Sequence, residues 1–370
     1  MNILLAPDSF KGCLTSVEVC RALNEGINKY SNRINVMQFP SSDGGEGFCD
    51  SMRNIYGGKL IEREVKFPLG NLGTAHFVFD EDKNTAFIEL AEASGLSRVP
   101  EDKRNILVSS TFGTGELIKA AIDLGANKVY IGLGGSATND CGIGMLAALG
   151  MRFLDKEGNP LIPVAKSLPL VASVDKSEMP DLSNVEFIAA CDVKNPLCGK
   201  NGAAEVFSRQ KGATDTEVAF LDEAARSFAG VMGIDPALSG SGAAGGVGAA
   251  VLSVLGGRYV SGASLLVDSA EFQKALSASD ILITGEGNTD AQTAFGKLVG
   301  VMVDEATKKR VRAFIISGGL SQGFETMFSL GAEMVFSLCD EKYDKDYCIK
   351  NAASLLSKKA FELLTLIYEQ

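Results

Sequence analysis

Gly132-Leu133-Gly134-Gly135-Ser136-Ala137-Thr138-Asn139-Asp140-Cys141-Gly142-Ile143-Gly144 is the stretch whose reading decides the fold. Before it runs Lys128-Val129-Tyr130-Ile131, short and apolar, with the β-branched and aromatic bias of a buried strand. After it runs Ile143-Gly144-Met145-Leu146-Ala147-Ala148-Leu149, a helical pattern stopped by Gly150. Strand, glycine-rich turn and helix together form a phosphate cradle. Glycines let the backbone approach an anion, and a helix N-terminus offers free N–H donors and a positive dipole end. Ser136, Thr138 and Asn139 add groups for phosphate oxygens, and Asp140 adds a carboxylate suited to a metal ion. A tight turn that needs glycine only for positive φ explains one such loop by itself. Further stretches of the same kind along the chain favour binding.

Working outward toward the N-terminus, Ile3–Ala6 predicts a strand with Pro7-Asp8-Ser9-Phe10-Lys11-Gly12 at its carboxyl end. Thr15-Ser16-Val17-Glu18 is a capping box, and Cys20, Leu23, Ile27 and Tyr30 form the buried stripe of the helix it opens. Ile34–Phe39 predicts a second strand, followed by Ser42-Asp43-Gly44-Gly45-Glu46-Gly47 and a short helix to Ile55. Ligands of open α/β sheets bind at the carboxyl ends of strands, which places Asp8, Ser9, Lys11, Asp43 and Glu46 where function is expected.

From Leu60 the period becomes two. Leu60–Phe67, Thr74–Phe79 and Thr85–Leu90 predict antiparallel strands, with a turn at Asp80-Glu81-Asp82-Lys83-Asn84. His76, the single histidine, falls on this alternating pattern and is assigned a structural place. Ser109–Gly115 precedes a helix over 116–124 that leads into the glycine stretch. Beyond it, 152–154 and 161–163 predict a hairpin around Asp155-Lys156-Glu157-Gly158-Asn159. Val185–Ala190 predicts an apolar strand ending in Cys191-Asp192-Val193-Lys194-Asn195-Pro196. Thr214–Val231 predicts an amphipathic helix with Thr214 and Glu217 as its capping box. Ser239-Gly240-Ser241-Gly242-Ala243-Ala244-Gly245-Gly246-Val247-Gly248 then opens a helix to Leu255.

The last quarter returns to β-α alternation. Strands are predicted over 280–284, 312–316 and 333–338, with Gly285-Glu286-Gly287-Asn288-Thr289-Asp290 after the first. Helices are predicted over 296–308 and 346–368. Parallel strands at both ends and hairpins between predict an α/β chain of two domains: a Rossmann-like doubly wound domain from 1–60 and 265–370, and an inserted mixed α/β domain over 61–264.

The formal charge of −11 argues against nucleic acid or an anionic membrane surface as partner. Long uncharged apolar runs and a signal-peptide pattern are both missing, so a cytoplasmic protein without a membrane partner is expected. The eight cysteines are scattered without a CxxC pair and read as reduced. One histidine leaves no His-based triad or poly-His metal site. What remains is strand-end Asp and Glu, lysines, and backbone-lined anion sites, the inventory of phosphoryl transfer. The GxxxxGK[ST] pattern is absent, so the chain is not a P-loop enzyme.

The motifs Ala6–Gly12, Ser42–Gly47, Gly132–Asp140, Ala190-Cys191-Asp192-Val193 with Asn195-Pro196-Leu197, and Gly285-Glu286-Gly287 with Asp290 resemble those of the type I glycerate kinases. They run in the family's order from Leu4 to Lys297. The resemblance implies ATP-dependent, Mg²⁺-assisted phosphorylation of D-glycerate to 2-phosphoglycerate, in a cleft between two α/β domains. Within it, Asp192 is the first choice for general base, with Lys11, Asp43 and Asp290 completing the catalytic set. Asp43 and Asp290 are the Mg²⁺ ligands or the alternative base. Asp8, Ser9, Lys11, Glu46 and Asn195 are assigned to the acid substrate. Gly134, Gly135, Ser136, Thr138, Asn139, Gly245, Gly246, Glu286 and Lys297 are assigned to the nucleotide. The chain departs from the family at Asn288-Thr289, where Arg and an apolar residue are usual. A kinase of another small hydroxy acid and a non-catalytic metabolite sensor stay open as alternatives. The glycine run also resembles that of the galactokinase and homoserine kinase superfamily, whose chain order differs. A homodimer is one assembly left open.

Overall fold

The computed structural model describes residues 1–294, 296–340 and 342–368. The last two positions of the domain drawn to 370 lie outside it. By contact the chain divides into two compact units, 1–55 with 261–370, and 56–260. In chain order the main-sheet strands are β1 (Asn2–Leu5), β2 (Asn35–Gln38), β3 (Lys59–Lys66), β4 (Leu72–Asp80), β5 (Thr85–Glu89) and β6 (Lys128–Gly132). They continue as β7 (Glu186–Ala190), β8 (Arg258–Val260), β9 (Ile281–Thr284), β10 (Arg312–Ser317) and β11 (Ala332–Ser337).

The discontinuous unit carries a five-stranded sheet in the order β11-β10-β9-β1-β2. All its pairings are parallel, with Ile3 beside Ile281 and Val36. Its three central strands, β1, β9 and β10, are buried along nearly their whole length, as a sheet covered on both sides requires, while the edge strands β2 and β11 are half-exposed. Ile3, Leu5, Ile281, Ile283, Phe314 and Ile316 pack with helices Ser16–Tyr30 and Lys345–Tyr368. The helix Leu298–Lys308 contacts β9 and β10 and buries Val299, Met302 and Val303. The Thr15–Glu18 capping box forms as predicted, with Thr15 N donating 2.8 Å to Glu18 and Glu18 N donating 3.3 Å to Thr15. From β1 the chain moves to one side of the sheet, and from β9 to the other. The loops after these two adjacent strands therefore part at a topological switch point, where open α/β sheets bind ligands.

The inserted unit carries a six-stranded mixed sheet, β8-β7-β6-β5-β4-β3. Strands β5 to β8 are parallel and β3-β4-β5 antiparallel. The chain is thus α/β, a doubly wound unit built from both ends and a mixed inserted unit. The Thr214–Glu217 box caps the helix Asp215–Met232.

Local details differ from the sequence expectation. The strand predicted to run through Leu90 stops at Glu89, and Leu90–Ser94 is helical. The predicted hairpin of 152–154 with 161–163 closes only its turn, through Leu161 N to Phe153 O at 2.8 Å. Arg152–Leu154 pairs instead with Ser173–Asp175. Pro160 and Pro163 lack the N–H groups a ladder needs. The helix expected to run to Leu255 is broken by left-handed Ala244, Gly245 and Gly246 and ends in a π-helical turn, Ala250–Val254. No helix among the described residues is long and apolar enough to cross a membrane.

Candidate active site

At the switch point of the discontinuous unit, a cavity of about 830 Å³ is lined by Asp8, Ser9, Lys11, Glu286, Asp290 and Lys297. Backbone pairing builds it: Asp8 N donates to Gly285 O at 2.9 Å, tying the loop after β1 to the loop after β9. Gly285 is required there, because a Cβ would collide with the Ile316 carbonyl on β10. Asp8 is buried, and its Oδ1 accepts from Ser9 N at 2.7 Å. Burial and then the charge of Asp43 push the Asp8 carboxyl well above its ordinary pKa, against the pull of Lys11. The Ser9 hydroxyl is buried with no hydrogen-bond partner among the described residues.

Lys11 Nζ lies 3.6 Å from Asp43 Oδ2, and Asp43 Oδ1 accepts from Gly45 N at 3.1 Å. Asp43, followed by burial and Asp8, acts on Lys11, and the net shift is upward, so it stays a cation. Glu286 accepts 2.7 Å from the Thr293 hydroxyl, while burial raises its pKa. Asp290 Oδ1 accepts 2.8 Å from Gln292 N and faces Lys297 Nζ at 3.6 Å. Asn288 Oδ1 accepts 3.0 Å from the Ser321 hydroxyl on the same cavity wall. Glu46 belongs to the Asp43 loop but is not among the cavity's lining residues.

In the inserted unit, the loop after β6 is braced by its neighbours. Leu133 N donates to Ala190 O at 3.0 Å, Leu96 N to Gly135 O at 2.8 Å, and Ala137 N to Ser94 O at 2.9 Å. Gly135 is left-handed and exposed, and Gly134 is half-buried. Ser136, Thr138 and Asn139 are buried, and Thr138 Oγ1 and Asn139 Oδ1 have no partner among the described residues.

Asp140 departs from the metal-ligand expectation. It is buried and accepts from Thr111 N, Thr111 Oγ1, Gly142 N and Gly144 N at 2.8–3.3 Å. Both oxygens are spent, so it anchors the loop to the helix behind it. Gly245 and Gly246 pack onto the loop's backbone: Cys141 N donates to Gly245 O at 3.0 Å, and a Cβ on Gly245 would strike the Thr138 carbonyl. Asp192 is half-buried just beyond β7, beside Tyr259. Asn195 Nδ2 donates 2.8 Å to Asn201 O, so that side chain braces its own turn. His76 Nδ1 lies 2.9 Å from Glu92, which also holds Arg98 at 2.9 Å.

The residue that sequence reasoning missed is Lys211. It is 3% exposed, and its Nζ donates 2.7 Å to Ser136 Oγ and 2.7 Å to Thr138 O. Burial lowers its pKa to about 7, against the opposing pull of Asp140. Arg209-Gln210-Lys211-Gly212 carries no pattern that marks a buried lysine.

The glycerate kinase family model matches residues 3–368. The glycerate kinase of Bacillus cereus is 41% identical over 344 residues, covering 91% of this chain and 90% of that protein. The glycerate 2-kinase of Escherichia coli K12 is 37% identical over 346 residues, again covering 91% and 90%. A crystal structure of a protein described as glycerate kinase 2, from Salmonella typhimurium LT2, superposes with a TM-score of 0.78 at 36% identity, covering 100% of this chain and 98% of that one. The ordered motifs, the two-unit α/β fold and these full-length likenesses have one common explanation: the chain belongs to the glycerate kinase family.

Proposed function

We propose that the chain transfers the terminal phosphoryl group of ATP to the 2-hydroxyl of D-glycerate, giving ADP and 2-phosphoglycerate in the cytoplasm. The observation that carries this is the cavity where Lys11, paired to Asp43, and Lys297, paired to Asp290, share one lining with Ser9 and Glu286. Two cations, each beside a carboxylate at a strand end, suit a small anionic acid whose hydroxyl receives a phosphoryl group. We assign Lys11, Ser9 and Asp8 to the acid, and the 134–139 loop with Glu286 and Lys297 to the nucleotide.

Asp192 takes the proton of the attacking hydroxyl as its oxygen bonds to phosphorus and the bond to the leaving ADP oxygen breaks. Lys11 and Lys297 balance charge on the migrating group. The residues present fit Mg²⁺. Asp43 and Asp290 offer hard carboxylate oxygens, and this ion binds through one or two carboxylates with phosphates and water completing its shell. When bound, the ion supplies neutralisation of phosphate charge.

The test is ADP release by the purified protein with ATP and Mg²⁺, comparing D-glycerate, L-glycerate and other small hydroxy acids. Release confined to D-glycerate supports the assignment. Release with another hydroxy acid moves it to that substrate. Phosphorus NMR of the product fixes the position.

A further inference from the structure

Buried lysines with few partners are uncommon, because taking an ammonium out of water is costly. Lys211 is held in place by its backbone: its own N–H donates 2.9 Å to Ser208 O, and the turn closes at left-handed Gly212. Two of its ammonium hydrogens go to the loop after β6, on Ser136 Oγ and Thr138 O. The third finds no partner among the described residues. The same loop leaves Thr138 Oγ1 and Asn139 Oδ1 buried and without a partner among the described residues. Burying such a group without a partner is costly, and a ligand that completes the bonding removes that cost. One stretch of four residues thus holds a buried cation with a spare donor and two orphaned polar atoms.

We propose that Lys211 is the positioning residue of the nucleotide loop: by donating to Ser136 Oγ, it forces the Ser136 hydroxyl to present its own hydrogen to a phosphate oxygen of the nucleotide, and it places a positive charge beneath that phosphate. This rests on the nucleotide role proposed above for residues 134–139.

A hydroxyl oxygen that accepts from an ammonium must aim its hydrogen elsewhere. If Lys211 loses its proton, its two remaining hydrogens still serve Ser136 Oγ and Thr138 O, and the spare third donor is the one that goes. The loop then loses a donor and a charge together. With its pKa lowered to about 7 by burial, Lys211 passes between these forms near neutral pH. Asp140, on the loop itself, is the charged group that acts on it, favouring the cation. The other charges nearby are engaged elsewhere. Arg209 of the same turn pairs with Asp215 and Glu205. Arg104, packed against Gly212, donates to Gln210 O and pairs with Glu101.

The experiment measures ADP affinity by calorimetry from about pH 6 to about pH 9, with the KM for D-glycerate as internal reference. The full-length protein is compared with Ser136→Ala, Lys211→Met and Lys211→Arg. Expected is a roughly tenfold weakening of ADP binding in the unsubstituted protein above about pH 7, as the ammonium is lost. ADP gains its last negative charge near pH 6, which drives the opposite trend, so the two effects differ in sign. Lys211→Arg, which stays charged, binds ADP without that weakening. Lys211→Met binds ADP at least about tenfold more weakly at pH 7 while the KM for D-glycerate changes less than about twofold.

ADP affinity flat from pH 7 to 9 in the unsubstituted protein overturns the inference, even if the variants do not fold. If Ser136→Ala weakens ADP binding and Lys211→Met does not, the nucleotide role of the loop stands and the inference alone falls. If Ser136→Ala leaves ADP affinity unchanged, the nucleotide role fails and the inference falls with it.

Discussion

Lys11 Nζ stands 3.6 Å from Asp43 Oδ2, joining the loop after β1 to the loop after β2. The lysine side chain is 67% exposed, so the pair contributes little to stability, under about 1 kcal/mol. Its value is as a fixed cation on the cavity wall. Lys11→Met is predicted to lower kcat/KM for D-glycerate by about a hundredfold or more, while the melting temperature moves by only a few degrees. Steady-state kinetics and a thermal melt on the same preparation check this. A large loss of melting temperature with normal kcat/KM would make the pair structural.

Asp192 lies two residues beyond the end of β7 and is assigned the proton of the attacking hydroxyl. Asp192→Asn keeps its shape and removes its basicity. The expected outcome is a fall in kcat of about 10²–10⁴-fold with a small change in KM for ATP. Turnover near normal would remove Asp192 as base and leave Asp43 or Asp290 in that role. Asp43→Asn is expected instead to raise the Mg²⁺ concentration needed for half-maximal rate, read from a metal titration.

Asp140 accepts from four donors with its two buried oxygens. Replacing it by Ala leaves those donors unpaired. A loss of about 3 kcal/mol or more in unfolding free energy is predicted from urea denaturation. Burial, the largest influence, raises its folded pKa above 3.8 in spite of the four hydrogen bonds. The native state therefore holds this proton more tightly than the unfolded chain. The contribution of Asp140 is full below pH 3.8 and declines as pH rises through the raised folded value. Asp140→Asn removes that part of the pH dependence, so its stability curve is flatter over the same range.

Gly245 sits at φ 68°, and a Cβ there would press on the Thr138 carbonyl and the Asn139 backbone. Gly245→Ala is predicted to raise the KM for ATP more than that for D-glycerate, because the strain falls on the loop assigned to nucleotide. Gly199→Ala is a control: it too is left-handed, but its Cβ would meet nothing within 4 Å. Equal effects from both substitutions would assign the loss to backbone strain alone.

Local chemistry explains what could be read from the sequence. Both capping boxes, at Thr15 and Thr214, sit within four residues, and both form. The strand-end loops carrying Asp8, Asp43, Asp192 and Asp290 followed from apolar runs broken by glycine and polar residues. The helices Gly262–Val267 and Ala270–Ser277 were missed, although Ser261 and Ser269 cap them through Ser264 N and Phe272 N. At 6 and 8 residues they are too short to show a helical period.

Lys211 and the seating of Gly245 on Thr138 were illegible for a different reason. Both depend on segments over 70 residues apart being brought together by the sheet. Sequence periodicity reports burial of a face, and it says nothing about which distant backbone that face will meet. The anchoring role of Asp140 was misread for the same reason, since Thr111 lies 29 residues away.

The most direct test of the central claim is coupled ADP release with ATP, Mg²⁺ and D-glycerate, followed by phosphorus NMR of the product. Release that requires D-glycerate and yields 2-phosphoglycerate is the predicted result. A folded protein that binds ATP yet releases no ADP with D-glycerate would contradict it.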